Sequence, residues 1–294
     1  MMTVLWAVVV VGTLTLATAL AGLDAYNAGR NRVNAARAFW LASDCMERAR
    51  AVIDTALNTS EALPGRVWRH LDAVIGSDPI VSNTGCVIEV EASGTRLDIN
   101  RASPEELTRL FDALGRSNAE ALADAIVDWR DNDDEPLPNG AESQWYAAQR
   151  RPLPRNGPFA DDLELMRVRG FEDGIAQRYL SVEPGVTSIP TASGPVLASI
   201  PGFTDEAVSA VLAARVDGID IEDLRALAST LSSAARDSIV SRYQDISRLS
   251  TLDPEAWILR ATGRSGLPFV TASVELRLVR TNRRATVVRR TVRT

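Results

Sequence analysis

Between Asp124 and Glu142 the chain carries seven acids and one arginine, with two prolines stiffening the stretch from Pro136 to Pro138. Asp128, Asp131, Asp133, Asp134, Glu135 and Glu142 are hard oxygen donors of the kind calcium takes, about six to eight at a time. Against the twelve-residue EF-hand spacing starting at Asp131, Asp133, Glu135 and Glu142 fall on ligand positions. Pro136 occupies the place where that loop needs glycine, so the stretch is not an EF-hand. The six acids are candidate calcium ligands, set against a simple solvated acidic turn. A paired-carboxylate hydrolase is a further alternative, with only Trp129, Trp145 and Tyr146 as a sugar platform.

Other chemistries are excluded by scarcity. The chain has two cysteines, Cys45 and Cys86, and one histidine, His70. That set is too small for a zinc site built from several Cys and His ligands. A Ser-His-Asp arrangement would have to use His70, which lacks a nucleophile-elbow sequence to go with it. In an oxidising compartment the two cysteines could pair and staple a helix to a sheet, or stay as separate buried thiols. The sequence leaves both open.

The charge is unevenly spread. The formal net charge is −6 over 294 residues, and every basic residue is arginine. Residues 98–185 hold 18 acids and 10 arginines, a net −8, whereas residues 246–294 hold 3 and 10, a net +7. An acidic middle argues against general nucleic-acid affinity, because phosphate contacts need clustered cations.

The elements that must carry these residues begin with one long helix. The first 23 residues contain no charged side chain, and at 1.5 Å per residue they span roughly 34 Å, enough to cross a hydrocarbon core. The helical pattern runs on without proline to about Asn58, which predicts a membrane anchor (1–23) continued by a stem. A cleaved signal peptide, ending at the Ala17, Ala19, Ala21 run, is the alternative. Ala36, Phe39, Trp40, Met46, Ala49 and Ile53 are read as one apolar helix face.

A break falls at Pro64-Gly65. Cys86–Ala92 alternates apolar and polar residues as a half-buried strand does. Ser103, Pro104 and Glu106 form a helix start with a capping box. Helices are predicted over 104–114, 118–131, 161–168, 172–180, 194–199, 205–215, 221–229 and 232–241, with 132–158 a loop. Strand patterns return at 256–262, 269–278 and 284–292. The fold class is therefore α+β, with a helical block interrupting a sheet whose strands lie on both sides of it. Within the block, the segment 97–103 recurs weakly at 187–193, and the second copy continues through Pro201-Gly202 into a helix, like a helix-hairpin-helix unit. DNA-binding versions carry a second glycine where Thr204 stands, followed here by Asp205 and Glu206, so a structural hairpin is the better reading.

Together these features resemble a known family, the K-type minor pseudopilin of type II secretion. The resemblance runs through Thr3-Val4-Leu5-Trp6, Asp98-Ile99-Asn100, Asp128-Trp129-Arg130-Asp131, Pro138-Asn139-Gly140-Ala141-Glu142, Arg155-Asn156-Gly157-Pro158 and Glu164-Leu165-Met166-Arg167-Val168-Arg169-Gly170. It covers nearly the whole chain, and the order of these motifs is more specific than any one of them. Thr3 stands where most pseudopilins have a glutamate, a K-type trait. At the start the chain departs from the family: no basic leader or cleavage glycine precedes Met1, and the expectation is a missing or misassigned beginning.

The resemblance implies a pilin-like fold: a long N-terminal helix and a small antiparallel sheet, with a large inserted helical domain containing helix-hairpin-helix-like repeats. The expected divisions are 1–23 transmembrane, 24–97 stem and first sheet part, 98–252 insert (hairpin units about 98–185 and 186–245) and 253–294 returning strands. It further implies a single-pass inner-membrane protein with its globular part in the periplasm, no enzymatic activity, and assembly with I-type and J-type minor pseudopilins at the pseudopilus tip. Secreted protein substrates are possible further partners, and nucleic acid is not one. The resemblance and the donor-rich loop both point to calcium, and a lateral contact is expected around Ala36, Phe39, Trp40 and Met46. Two other classes stay open: a membrane-tethered helix-hairpin-helix DNA receptor, and a secreted or anchored hydrolase using the acidic loop.

Overall fold

In the computed structural model of the chain, residues 1–59, 64–77, 86–171, 174 and 176–293 are described. Helix α1 runs unbroken over Met2–Thr59. The apolar, uncharged start has the length and composition needed to cross a membrane, and none of its most apolar span is buried. Pro64 does not merely break the chain: it opens a short helix, α2 (Pro64–Arg69), followed by α3 (Leu71–Gly76).

The chain divides into two compact units, one comprising Met1–Glu61, Leu71–Val90 and Leu259–Thr294, the other Ala62–His70 and Glu91–Ile258. Strands β1 (Cys86–Ala92), β6 (Trp257–Ser265), β7 (Val270–Thr281) and β8 (Arg284–Arg293), which lie in the first unit except for the end of β1 and the start of β6, form a four-stranded sheet in the order β1-β6-β7-β8. The strands from before and after the helical block share this one sheet, and β7 pairs antiparallel with β8.

Helix α1 packs on the sheet through Ala38, Ala42, Cys45, Met46, Ala49, Ile53 and Leu57, all at most 1% exposed. Three of these are alanines, which let the backbones approach. Gly263 of β6 completes the fit, since a Cβ there would lie 2.1 Å from the Ala38 carbonyl oxygen. Cys45 and Cys86 are joined in a disulfide with Cα atoms 6.5 Å apart, tying α1 to β1 across 41 residues of sequence. Closing a loop of that length lowers the unfolded chain's entropy by about 4 kcal/mol at room temperature. The pairing left open by the sequence is therefore made.

The predicted apolar face of α1 is too wide. Met46, Ala49 and Ile53 are buried, but Ala36 and Trp40 are exposed and Phe39 is half-buried. At about 100° per residue, four-residue steps from Ala36 drift away from the arc centred on Ala42 and Ala49. The four candidate interface residues thus split, with Met46 spent on the protein's own core.

The second unit holds the helices. Strand β2 (Leu97–Asp98) leads into α4 (Pro104–Ala113) and α5 (Ala119–Arg130). The Ser103 capping box is present, with Glu106 reaching back to the Ser103 N–H at 2.8 Å. Within the predicted 132–158 loop a short helix forms, α6 (Ser143–Ala148). A 3-10 segment follows at Asp162–Arg167. The helix expected over 172–180 is instead a single 3-10 turn at Ala176–Arg178 before strand β3 (Leu180–Ser181); Glu172, Asp173 and Ile175 lie outside the described residues. The second half comprises β4 (Thr187–Ser188), α7 (Gly194–Ala198), α8 (Asp205–Val216), α9 (Leu224–Ser229), α10 (Ser233–Ser241), α11 (Tyr243–Leu249) and β5 (Ser250–Thr251). Here α11 was not anticipated.

The weak repeat is a structural one. In both copies the opening strand pairs in parallel with the closing strand of its own half, β2 with β3 and β4 with β5. Ala102 N–H donates to the Asp98 carbonyl at 2.9 Å, and Ala192 N–H to the Ser188 carbonyl at 2.8 Å. The last-turn arginines correspond as well: Arg130 donates to the Ile99 carbonyl, and Arg215 to the Ile189 carbonyl.

Candidate metal centre

Helix α5 positions the first donors. Its inner face buries Leu122, Ala123, Ile126 and Trp129, and this puts Asp128 in the next arc, under the chain that leaves the helix. Asp128 is fully buried, and its carboxylate accepts the Leu137 N–H at 3.2 Å. Asp131, at the C-cap, turns the chain outward. The chain returns at Ala141-Glu142 to start α6, and Glu142 is only 3% exposed. Carboxylate oxygens of Asp128, Asp131 and Glu142 come within 4.8 Å of one another.

The electrostatics of this trio are unfavourable for bare carboxylates. Burial, then repulsion from Asp131 and Asp124, overrides the backbone donors of Leu137 and Ala141 and pushes Asp128 up to about 6. Burial and the surrounding aspartates, Asp128 first, push Glu142 up to about 7. Asp131 is raised too, by burial and Asp133. Neither Glu142 oxygen nor Asp131 Oδ1 has a hydrogen-bond partner, although each is buried. A buried acceptor left unpaired costs free energy, and a cation held among Asp128, Asp131 and Glu142 would give such oxygens a partner.

The other three candidates are elsewhere. Asp133, Asp134 and Glu135 are exposed. Asp133 accepts the Glu135 N–H at 3.0 Å, and Asp134 accepts the Ser143 N–H at 3.2 Å. The Ser143 hydroxyl and N–H hold the Asp134 carboxyl below its usual range. These acids shape the loop's turns rather than join the trio.

Residues outside the acid set hold the centre in place. Gly140 passes so close that a Cβ would sit 1.9 Å from Asp128 Oδ2. Arg169 donates to the Gly140 carbonyl at 2.9 Å and stacks 5.1 Å from the Trp145 ring centre. Its N–H donates to the buried Tyr146 hydroxyl. Trp129 lies under the loop, edge-on to Tyr146 and stacked with Phe159. The glycine inside an acidic run was the visible signal for this packing. The role of Arg169 had none, since it comes from 29 residues further along the chain.

Comparison with known proteins follows the same stretch. Residues 87–191 match the family model for "Type II secretion system (T2SS), protein K". Type II secretion system protein K of Klebsiella pneumoniae is 41% identical over 76 residues, covering 25% of this chain and 23% of that protein. The Dickeya chrysanthemi protein of the same name is 34% identical over 103 residues, 31% and 28% of the two chains. The matched stretch spans about a quarter of the length of these curated relatives. By structure, the chain is similar to one in the crystal structure of the GspK-GspI-GspJ complex from the enterotoxigenic Escherichia coli type 2 secretion system. The TM-score is 0.65 at 16% identity, over 90% of this chain and 99% of that one. The fold is shared: a long N-terminal helix, a small antiparallel sheet and a helical insert.

Proposed function

We propose, from the match of residues 87–191 to the family model for type II secretion system protein K, that this chain is a member of that family and a minor pseudopilin. It is held in the inner membrane by the start of α1, with the globular part in the periplasm. It assembles with I-type and J-type minor pseudopilins at the pseudopilus tip and supports export across the outer membrane. One observation carries the reading: the fold matches 99% of a chain whose solved setting is a complex of three such proteins. The role is structural. Asp128 and Glu142 are 0% and 3% exposed, so no sugar or peptide bond reaches them for acid-base hydrolysis. The test is co-purification of residues 24–294 with soluble I-type and J-type partners. A single complex on gel filtration is expected, and three separate peaks would refute the reading.

Calcium belongs to the same proposal. The donors are all hard oxygens, they lie within 4.8 Å of one another, and those of Glu142 and Asp131 Oδ1 lack hydrogen-bond partners, which fits this ion better than a softer metal. Asp128, Asp131 and Glu142 would hold it, and its charge would offset theirs and order the 131–142 loop. Chelation should lower the melting temperature. Asp131→Ala should abolish that sensitivity, while Asp133→Ala should leave most of it. A calcium titration with neither heat nor thermal shift would sink the proposal.

A further inference from the structure

The turn between β6 and β7 is apolar where surface turns are ordinarily polar. Leu267, Pro268 and Phe269 make it up, and Leu267 is 76% exposed and Phe269 67%. The turn is pinned to α1. A Cβ at Gly266 would lie 2.2 Å from Asn34 Nδ2, and one at Gly263 would lie 2.9 Å from the Ala42 backbone nitrogen. Strand β6 therefore runs along α1 from Ala42 towards Asn34, in the direction of the uncharged start. Its turn lies at the end of the sheet nearer that start, and α1 and residues 259–294 belong to one compact unit.

Lengths put the turn close to a membrane surface. Asn34 stands eleven residues past Leu23, the last of the uncharged run, or roughly 16 Å along the helix. The turn extends roughly 5 Å beyond Gly266 at strand spacing, and a headgroup layer is about 5–8 Å deep. A helix tilt of about 20° towards the sheet, with the reach of the leucine and phenylalanine side chains, spans what is left.

The charge around the turn has one sign. Glu275 is the sole acid after Glu255, against nine arginines, and it is engaged by Arg260 at 2.8 Å and Arg289 at 3.4 Å. Arg264 is exposed two residues before Gly266. Arg293 is exposed on β8, paired with Ser273, four residues after Phe269. Neither Arg264 nor Arg293 is in an ion pair among the described residues. On α1, Arg30 and Arg32 lie within a turn of Asn34 on the membrane side. Apolar side chains beside arginines suit an anionic bilayer surface: the first enter the interface, and the second pair with its phosphates.

We propose that the Leu267-Pro268-Phe269 turn is a second membrane contact, seated among the anionic lipid headgroups of the leaflet from which α1 emerges and held there by Arg264 and Arg293. The proposal rests on the reading of α1 as a membrane anchor and adds to it. Because α1 already tethers the turn beside the bilayer, the contact needs little affinity of its own. Its effect is to set the tilt and rotation of α1, which interfacial anchors govern.

The experiment uses the full chain in vesicles of phosphatidylcholine with phosphatidylglycerol that carry a headgroup-linked quencher. Cys45 and Cys86 are joined, so an introduced cysteine is the reactive thiol. Ser265→Cys, beside the turn, and Asn282→Cys, at the far end of β7, each carry an environment-sensitive fluorophore. A carbonate wash first tests that the wild type is anchored. Quenching at 265 should exceed that at 282 about fivefold, the effect of one arginine at an anionic surface. Arg264→Glu with Arg293→Glu, Leu267→Asp with Phe269→Asp, or vesicles of phosphatidylcholine alone should each remove most of the difference, with unchanged melting. Equal quenching at both positions, or an excess at 265 that survives any of these changes, overturns the contact while the anchor stands. So does a blue-shifted label at 265 that the quencher does not reach, since a second copy then covers the turn. Release of wild type by carbonate overturns the anchor and the contact with it.

Discussion

Residues 97–181 and 187–251 each open on a two-residue strand, turn into a short helix, enter a twelve-residue helix ending near an arginine, and close on a parallel strand. The core positions correspond: Leu122, Ala123 and Ile126 of α5 match Ala207, Val208 and Val211 of α8, all buried. What differs is the exit from the long helix. In the first half 31 residues, 131–161, holding only the short α6, separate α5 from the 3-10 segment at Asp162–Arg167; in the second, α9 follows α8 after the seven residues 217–223. Where the first half has Asp124, Asp128, Trp129 and Asp131, the second has Ser209, Ala213, Ala214 and Val216. The helical frame therefore stands without acids at these four positions, and Asp128 and Glu142 are buried where a long loop folds over α5. That loop brings its own core residues, Ala141, Tyr146 and Phe159, to pack around Trp129.

The comparison is most exposed to failure at Trp129. Trp129→Ala should cost about 4 kcal/mol, as large aromatic truncations in a core do, and hydrogen exchange should rise across 128–160 while residues 187–251 stay protected. Equal loss of protection in both halves would show that they do not fold as separable frames.

Next comes pH in the absence of divalent cations. Burial and mutual repulsion raise Asp128 to about 6 and Glu142 to about 7, so the protonated carboxyls are the ones the folded state favours. Stability contributed by those protons is present below the unfolded carboxylate range and is lost as pH rises through about 6 to 7. The metal-free melting temperature should fall by on the order of 5 °C across that window. Saturating calcium should remove the fall, because the deprotonated forms are then ligands. A flat metal-free profile would contradict the buried trio.

The paired arginines give a smaller contrast. Arg130 serves two carbonyls, Ile99 and Ala102, whereas Arg215 serves Ile189. Arg130→Ala should cost about 2–3 kcal/mol and Arg215→Ala about half that, since charged donors to buried carbonyls contribute on this scale. Denaturant melts would measure both, and the reverse order would break the equivalence. Smallest of all, Val216→Asp should change stability by less than about 0.5 kcal/mol. Val216 is 87% exposed, so placing the acid of Asp131 there creates no site without the loop.

The elements that local rules govern were legible from the residues. The uncharged start and unbroken periodicity marked α1, alternation marked β1 and the last three strands, and the Ser103–Glu106 box marked the start of α4. Each depends on neighbours within a turn or two, so the pattern and the structure report the same physics. The acidic loop, too, was visible as a donor-rich stretch.

What only the tertiary structure decided involves distance along the chain. Six acids of equal formal charge divide into a clustered trio, two buried and Asp131 half-buried, and an exposed three because α6, Gly140 and Arg169 fold over one side of α5. Met46 and Trp40, alike as apolar helix residues, part company because the sheet lies against only one arc of α1. Cys45 and Cys86, 41 residues apart in sequence, meet because the fold brings the middle of α1 to the start of β1. Composition and periodicity set which residues can be buried or charged; which of them face one another depends on packing between segments that the local pattern does not encode.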